Sequence, residues 1–366
     1  MWLLAVAGLL VVGWIWWQSR ETSPRAPKSK TPPAAPTYPG VPQPKPMPPK
    51  VRPQAPQPVI PVPPPRPIAK PSTELPPPGV FPRPVQSVFE AQLALARQGI
   101  SSGSLDGRIG AQTRAALRAF QRKEHLAVTG ELDAPTKERL LLATAPYATY
   151  SVTTNDLARL QPLSPTWLGK SQQTALDYET ILELAAEKSH SHPNLVRQLN
   201  PSVDWTNVAA GTILQVPDVA YAEADAKAAF ATISLAGKVL EAFDAKTNLL
   251  AHFPCSIARQ VEKRPIGELH VAVIAPNPNY TFDPDVFPES AEARQLKTKL
   301  VLPPGPNNPV GVAWIGLDKP GYGIHGTPGP EQVGRTESHG CFRLANWNAE
   351  YLVKLVWVGM PVYVEP

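Results

Sequence analysis

The stretch TESHGCFRLANW at residues 336–347 contains one of the two cysteines of the chain, Cys341. His339 lies two residues before Cys341, and His325 lies sixteen residues before it. A cysteine attacks as its thiolate, and imidazole is the side chain best suited to exchange the thiol proton near neutral pH. This spacing predicts a cysteine nucleophile that uses one of the two histidines as its base.

Two other roles for Cys341 are open on the residues alone. Cys255 is the only possible disulfide partner, and the two cysteines of a chain outside the cytoplasm are often paired. His325, His339 and Cys341 could also supply three ligands to a metal, although no paired Cys-x-x-Cys or His-x-x-x-His spacing occurs. Nothing local supports either alternative, so we expect no metal and no cofactor.

The surroundings of Cys341 suit attack on a carbonyl group. Gly340 has no side chain, so the backbone N–H groups of Gly340 and Cys341 can face a substrate carbonyl, as an oxyanion hole requires. His339 is so near in sequence that its geometry for proton transfer is cramped. His325 belongs to a separate strand end, YGIHGT, and can approach the sulfur from across the site.

The motif IHGT at 324–327, followed by SHGCFRL at 338–344, resembles the L,D-transpeptidase catalytic-domain family of bacterial cell walls. The run PPGPNNPVGVAWIGL at 303–317 is similar to that family's approach to its active site, and the resemblance covers residues 228–366. It implies that Cys341 is the nucleophile and that His325 is the general base and acid. The carbonyl group of Gly326 would orient the ring of His325.

The resemblance also implies roles for residues around this pair. His339 and Ser338 would shape the pocket by hydrogen bonding, and Arg343 would meet a substrate carboxylate. For Arg343 a surface salt bridge is the alternative. Tyr322 is expected to line the donor groove.

The family chemistry implied here has two steps. The thiolate attacks the carbonyl of the L-centre of a diamino acid in a tetrapeptide stem of peptidoglycan, and the terminal D-alanine leaves. An amine of a neighbouring stem then attacks the thioester and forms a 3→3 cross-link, or a protein amine does so and is attached to the wall. Water as acceptor would make the protein a carboxypeptidase or thiol hydrolase, and loss of turnover would leave a peptidoglycan-binding scaffold.

The elements that must position these residues lie in residues 226–366. Alternating apolar residues predict strands at 231–235, 239–243, 249–253, 269–274, 310–317 and 361–364. One helix is predicted near 347–357, with Asn346 as its cap. This pattern indicates a mainly-β sandwich or roll with a helix packed against it.

Residues 85–146 are predicted to form a small all-α domain of three helices. Apolar spacing predicts helices at 87–97 and 111–123, and Asp133 with Pro135 marks the start of a third. The stretch DGRIGAQTRAALRAFQRKEHLAVTGELDAPT resembles the three-helix peptidoglycan-binding domain. The resemblance implies a groove for glycan or stem peptide.

Residues 147–225 are predicted to form a small α+β linker domain. Helices at 178–188 and 192–199 precede the strand GTILQVP, and this order is similar to a lysin motif that binds wall glycan. The opening strand of that motif is poorly matched. The alternative is a structural domain that supports the next one.

The N-terminal segments predict a tether. Residues 1–19 are almost entirely apolar and are expected to be a membrane anchor or signal. Residues 20–84 form a disordered, proline-rich spacer; 25 of the 47 prolines lie at 24–84, which carries a net charge of +8 and leaves −3 for 85–366. We expect an anchored protein outside the cytoplasmic membrane, with peptidoglycan and the membrane as partners and no nucleic acid, although the basic residues after the anchor favour the opposite orientation.

Overall fold

The computed structural model describes residues 79–366 except 222, 225, 288 and 337–339. The predicted anchor at 1–19 and the spacer as far as residue 78 lie outside the described residues, as do Ser338 and His339. Within the described part of the chain, no helix has the length and apolar character needed to cross a membrane.

The helical domain contains the three predicted helices, framed by two short strands. Its elements are β1 (Arg83–Pro84), α1 (Val88–Arg97), α2 (Ala111–Lys123), α3 (Ala134–Arg139) and β2 (Leu141–Leu142). Ser87 caps α1 and Asp133 caps α3, in each case by accepting a backbone N–H from the first turn. The last two residues of the predicted spacer form β1, which pairs with β2.

The linker domain is α+β, as its sequence predicts. Its elements are β3 (Tyr147–Ser151), α4 (Thr154–Arg159), α5 (Trp167–Ser171), α6 (Ile181–Lys188), α7 (Pro193–Leu199) and β4 (Ile213–Pro217). β3 and β4 pair antiparallel over five residues each, so one strand precedes the helices of this domain and one follows them. The alternation of β3 is weak because none of its residues is fully buried.

The C-terminal domain is mainly β. Its elements are β5 (Phe230–Ser234), β6 (Val239–Phe243), β7 (Leu249–Pro254), β8 (Gly267–Pro276), β9 (Tyr280–Phe282), β10 (Leu300–Leu302), β11 (Ala313–Leu317), β12 (Gly323–His325), β13 (Phe342–Arg343), α8 (Asn346–Leu355) and β14 (Pro361–Glu365). Eight of these strands form one sheet in the order β13-β12-β11-β8-β14-β5-β6-β7. The sheet is mixed, because β12 with β13 and β14 with β5 are parallel pairs.

The two edges of this sheet meet, so the domain is rolled up. Ser256, just after β7, donates a backbone hydrogen bond of 2.9 Å to Arg343 of β13 and accepts one of 3.0 Å in return. Apolar residues of α8 share one buried core with the strands. Because the sheet closes, few strand edges are exposed. The closure also holds β12 and β13, the strands before and after Cys341 in the chain, in place.

A separate hairpin, β9–β10, contacts the linker domain. Residues 160–180 connect α4 to α6. Trp167, which lies in this segment, stacks on Phe282 with ring centroids 4.3 Å apart. Glu292 accepts backbone N–H groups from Trp167 at 2.9 Å and Leu168 at 3.0 Å. The linker domain therefore supports the hairpin that follows β8.

Candidate active site

Strands β12 and β13 position the two predicted catalytic residues, because β12 ends at His325 and β13 begins directly after Cys341. His325 pairs with Arg343 in parallel register, and Ile324 pairs with Phe342. Ile324 and Phe342 point into the buried core, so His325 and Arg343 lie on the other face. Cys341 comes immediately before β13, and its sulfur accepts a backbone hydrogen bond from Gly323, the first residue of β12.

The ring of His325 is held in one tautomer. Its Nδ1 lies 2.6 Å from the carbonyl oxygen of Gly326, which can only accept, so Nδ1 carries the proton and Nε2 can accept one. Burial lowers the pKa of His325 to about 4, and the charge of Arg343 acts in the same direction. The imidazole is therefore neutral near neutral pH.

The thiol of Cys341 is also neutral at rest. Burial raises its pKa, while a backbone hydrogen bond from Gly323 and the charge of Arg343 act against that rise. Its Sγ lies 3.5 Å from the carbonyl oxygen of Gly321. The side chains of Cys341 and His325 are therefore both uncharged near neutral pH.

Trp314 forms a wall of the site that the sequence motifs did not predict. Its ring stacks on His325, with centroids 5.6 Å apart and planes 25° apart. A Cβ at Gly323 would lie 2.6 Å from two atoms of this ring, and a Cβ at Gly316 would lie 2.9 Å from Nε1. The two glycines therefore let the indole lie flat against the sheet beside His325.

Asn346 is not the helix cap that the sequence predicts. It is the first residue of α8, and its side chain makes no capping bond. Instead, Oδ1 accepts the backbone N–H of Thr327 at 2.9 Å and that of Val312 at 3.3 Å. Thr327 follows Gly326, so a buried amide secures the loop whose carbonyl holds His325.

The linker domain reaches this amide through α6. Nδ2 of Asn346 donates to Oε1 of Glu187 and to the carbonyl of Pro306, both at 3.0 Å. The hydroxyl of Tyr178 donates to the same Glu187 oxygen at 3.4 Å. Burial raises the pKa of Glu187 to about 8. A protonated Glu187 carboxyl can still accept hydrogen bonds at Oε1, so the contacts from Asn346 and Tyr178 agree with the raised pKa.

Two further side chains set the charge around the sulfur. Burial lowers the pKa of Arg343, whose guanidinium acts on both Cys341 and Cys255. Tyr280 belongs to β9; burial raises the pKa of its hydroxyl to about 12, and the charge of Cys341 contributes to that rise. The hairpin thus brings a phenol close enough to Cys341 for their charges to interact.

The remaining predicted residues lie in different places. A Cβ at Gly340 would meet no atom within 4 Å, so the space beside Cys341 is open on this side. Tyr322 packs against the main core rather than lying on the sheet face of His325. The ammonium of Lys319 lies over its ring, 5.2 Å from the ring centroid. Neither Cys255 nor Cys341 is in a disulfide. Cys255 is fully buried, and burial raises its pKa to about 12.

Comparisons with known proteins agree with both sequence motifs. Residues 228–364 match the family model described as "L,D-transpeptidase catalytic domain", and residues 85–140 match the one described as "Putative peptidoglycan binding domain". The two predicted resemblances are therefore confirmed for these residues, in the predicted order along the chain.

Individual relatives match over part of the chain. "Putative L,D-transpeptidase YkuD" of Bacillus licheniformis is 26% identical over 51% of this chain and 94% of its own length. "Putative L,D-transpeptidase YqjB" of Bacillus subtilis is 35% identical over 27% of this chain and 51% of its own. Among solved structures, L,D-transpeptidase 3 from Mycobacterium tuberculosis is 16% identical with a TM-score of 0.30, covering 44% of this chain and 77% of that one.

Proposed function

We propose that the protein is a peptidoglycan L,D-transpeptidase that works through a thioester on Cys341. The observation that carries the proposal is the position of Cys341 beside β12, the strand that ends at His325, with the ring of His325 fixed by Gly326 so that Nε2 can accept a proton. The domain match at 228–364 supports the reaction class.

In the first step, Nε2 of His325 takes the Cys341 proton while Sγ bonds to the carbonyl carbon of the diamino acid. The oxyanion accepts hydrogen bonds from the backbone N–H groups of Gly340 and Cys341, and the open space at Gly340 leaves room for it. The carbon–nitrogen bond then breaks, and His325 returns its proton to the departing D-alanine amine. The proton count balances, and a thioester remains.

In the second step, an amine of a neighbouring stem attacks the thioester carbon. His325 takes a proton from that amine and delivers it to the leaving sulfur, which restores the Cys341 thiol. The guanidinium of Arg343, on the same face, suits a substrate carboxylate. Ser338 and His339 remain proposed as pocket residues from the motif.

The acceptor separates this function from its alternatives. Purified protein should release D-alanine from a soluble tetrapeptide stem and, given a free D-amino acid, join it to the remaining tripeptide. Release of D-alanine without incorporation would identify a carboxypeptidase. No release from reduced protein would reject the enzyme and favour a binding scaffold. Mass spectrometry of the products distinguishes all three.

The two matched domains support a location at the cell wall or in the periplasm. We propose further that residues 1–19 anchor it to the cytoplasmic membrane and that the proline-rich spacer lets it reach the wall. Fractionation of cells should then recover the full-length chain with membranes, and removal of residues 1–19 should release it.

A further inference from the structure

A cavity of about 520 Å³ lies where the three domains meet, apart from the face that carries His325. The helical domain contributes residues 102–113, and the linker domain contributes His192 and nearby residues of α7. The third wall comes from Glu331, Gly334 and Arg335 of the catalytic domain. No single domain forms this cavity.

The walls of the cavity are fixed to one another by hydrogen bonds between domains. The backbone of Leu105 donates to His190 at 2.9 Å and accepts from His192 at 2.9 Å. The side chain of Gln112 donates to the carbonyl of Val333 at 2.5 Å. Gly334 has a φ of +73°, and a Cβ there would lie 2.6 Å from Gln112 Nε2. The fold therefore holds the walls of the cavity in fixed positions.

Charges of both signs line the cavity. Arg108 and Arg335 expose their guanidinium groups, and Asp106 and Glu331 supply carboxylates. The N-terminus of α2 also opens here, and its cap residue, Gly110, has no side chain to satisfy the first-turn N–H groups. A ligand that carries both a carboxylate and an amine complements this arrangement better than a purely anionic one.

Two of the lining residues are serines whose hydroxyl groups have no hydrogen-bond partner in the described part of the chain. They are Ser102, which is 4% exposed, and Ser104. Among its described lining residues there is no Phe, Tyr or Trp against which a sugar ring could stack. This lining without Phe, Tyr or Trp favours a peptide over a glycan.

The cavity lies beside the loop that leads to the nucleophile. The N–H of Gly334 donates to the hydroxyl of Ser256 at 2.8 Å, and the backbone of Ser256 pairs with Arg343. Arg335 is six residues before Cys341 in the chain.

We propose that this cavity is a second stem-peptide site, which binds the zwitterionic diamino acid of a wall stem through Arg108, Arg335 and the α2 N-terminus. The carboxylate lies against the guanidiniums, and the amine faces Asp106 and Glu331. The proposal rests on the proposed function for its choice of ligand. In this proposal, the helical and catalytic domains together hold a wall peptide near the active site.

The test uses the full chain with Cys341→Ala and a soluble stem tripeptide, ending in the diamino acid, that carries a diazirine. After irradiation, mass spectrometry should find label in residues 102–113, 192–198 or 331–335. Arg108→Gln should reduce this labelling about tenfold, the scale of one lost charge-assisted hydrogen bond. Lys123→Gln, at the far end of α2 and outside the cavity, should leave it unchanged.

Two results would overturn the proposal: label confined to the face of His325 and Trp314, or equal labelling of the three segments with and without Arg108→Gln. A tripeptide acetylated on its side-chain amine should label these segments less, and equal labelling would reject the zwitterion. D-alanine release by the unmodified enzyme is a separate measurement, so failure of the cavity is distinguishable from failure of the proposed function. The unfolding temperature of each variant checks its folding.

Discussion

Asn346 and Glu187 lie 159 residues apart in the chain, yet Nδ2 of Asn346 donates a 3.0 Å hydrogen bond to Oε1 of Glu187. At its other end, Asn346 accepts the N–H of Thr327, the residue after Gly326. One buried side chain thus joins the linker domain to the loop that orients His325. We infer that Asn346 is a positioning residue and that the linker domain supports catalysis through it.

Asn346→Asp tests this connection. The variant keeps the Oδ1 acceptor for Thr327 but replaces the donor that faces Glu187 with an oxygen. We expect kcat for D-alanine release to fall about 10- to 100-fold, as misplacement of a catalytic group by a fraction of an ångström does, with little change in KM.

The matched control adds Glu187→Gln to Asn346→Asp. A glutamine amide can donate to the introduced carboxylate at any pH, whereas the Glu187 carboxyl can do so only while it is protonated, so the double variant should recover part of the lost kcat as the pH rises through 8. A strictly additive loss in the double variant would contradict a direct coupling between the two positions.

The stability of the protein should depend on the titration of Glu187. Its pKa is about 8 in the folded chain and 4.5 without its surroundings, so between these values the folded state holds a proton that the unfolded state has lost. This contribution to stability is complete below pH 4.5 and is lost as the pH rises through 8. In Glu187→Gln, the fall in unfolding temperature between pH 5 and pH 8 should be smaller by about 3 °C or more. An identical fall in both proteins would refute the raised pKa.

The acid limb of the pH–rate profile reports on His325. Since burial lowers its pKa from 6.5 to about 4, the ring remains a neutral base well below pH 6.5. We expect kcat/KM to hold down to about pH 5 and then fall as the ring is protonated. His325→Ala should reduce kcat about 10²- to 10⁴-fold at pH 7. A larger loss from the comparison variant His339→Ala would transfer the role of base to that residue.

Gly323→Ala should disturb the site through Trp314. The added methyl would lie 2.6 Å from two atoms of the indole, so the ring must move off His325. We expect at least about a tenfold loss of kcat. Trp314→Phe in the Gly323→Ala background removes the atoms that clash, and it should raise kcat above that of Gly323→Ala alone. If the second substitution only deepens the loss, the clash is not the cause.

Local patterns in the sequence predicted much of the fold. β6 and α2 have the predicted bounds, because alternation and apolar helical spacing are strong there. The nucleophile and its candidate base were visible because their motif is short and contiguous.

The contacts that the sequence did not reveal join residues far apart in the chain. Asn346 looked like a helix cap because Asn is common before helices, and its bond to Glu187 has no local signal. The pairing of Ser256 with Arg343, which closes the sheet, likewise depends on tertiary structure. Trp314 lay within a motif similar to the family pattern, and only the glycines opposite it could have indicated a flat, stacked ring.

The central claim is that a thioester forms on the sulfur of Cys341, and intact-protein mass spectrometry tests it most directly. Reduced protein mixed with a soluble tetrapeptide stem and quenched in acid should gain the mass of the stem without its D-alanine, on a peptide containing Cys341. Cys255→Ala should give the same adduct, and Cys341→Ser should give no thioester. An adduct that persists in Cys341→Ser, or D-alanine release by that variant at the wild-type rate, would contradict the account.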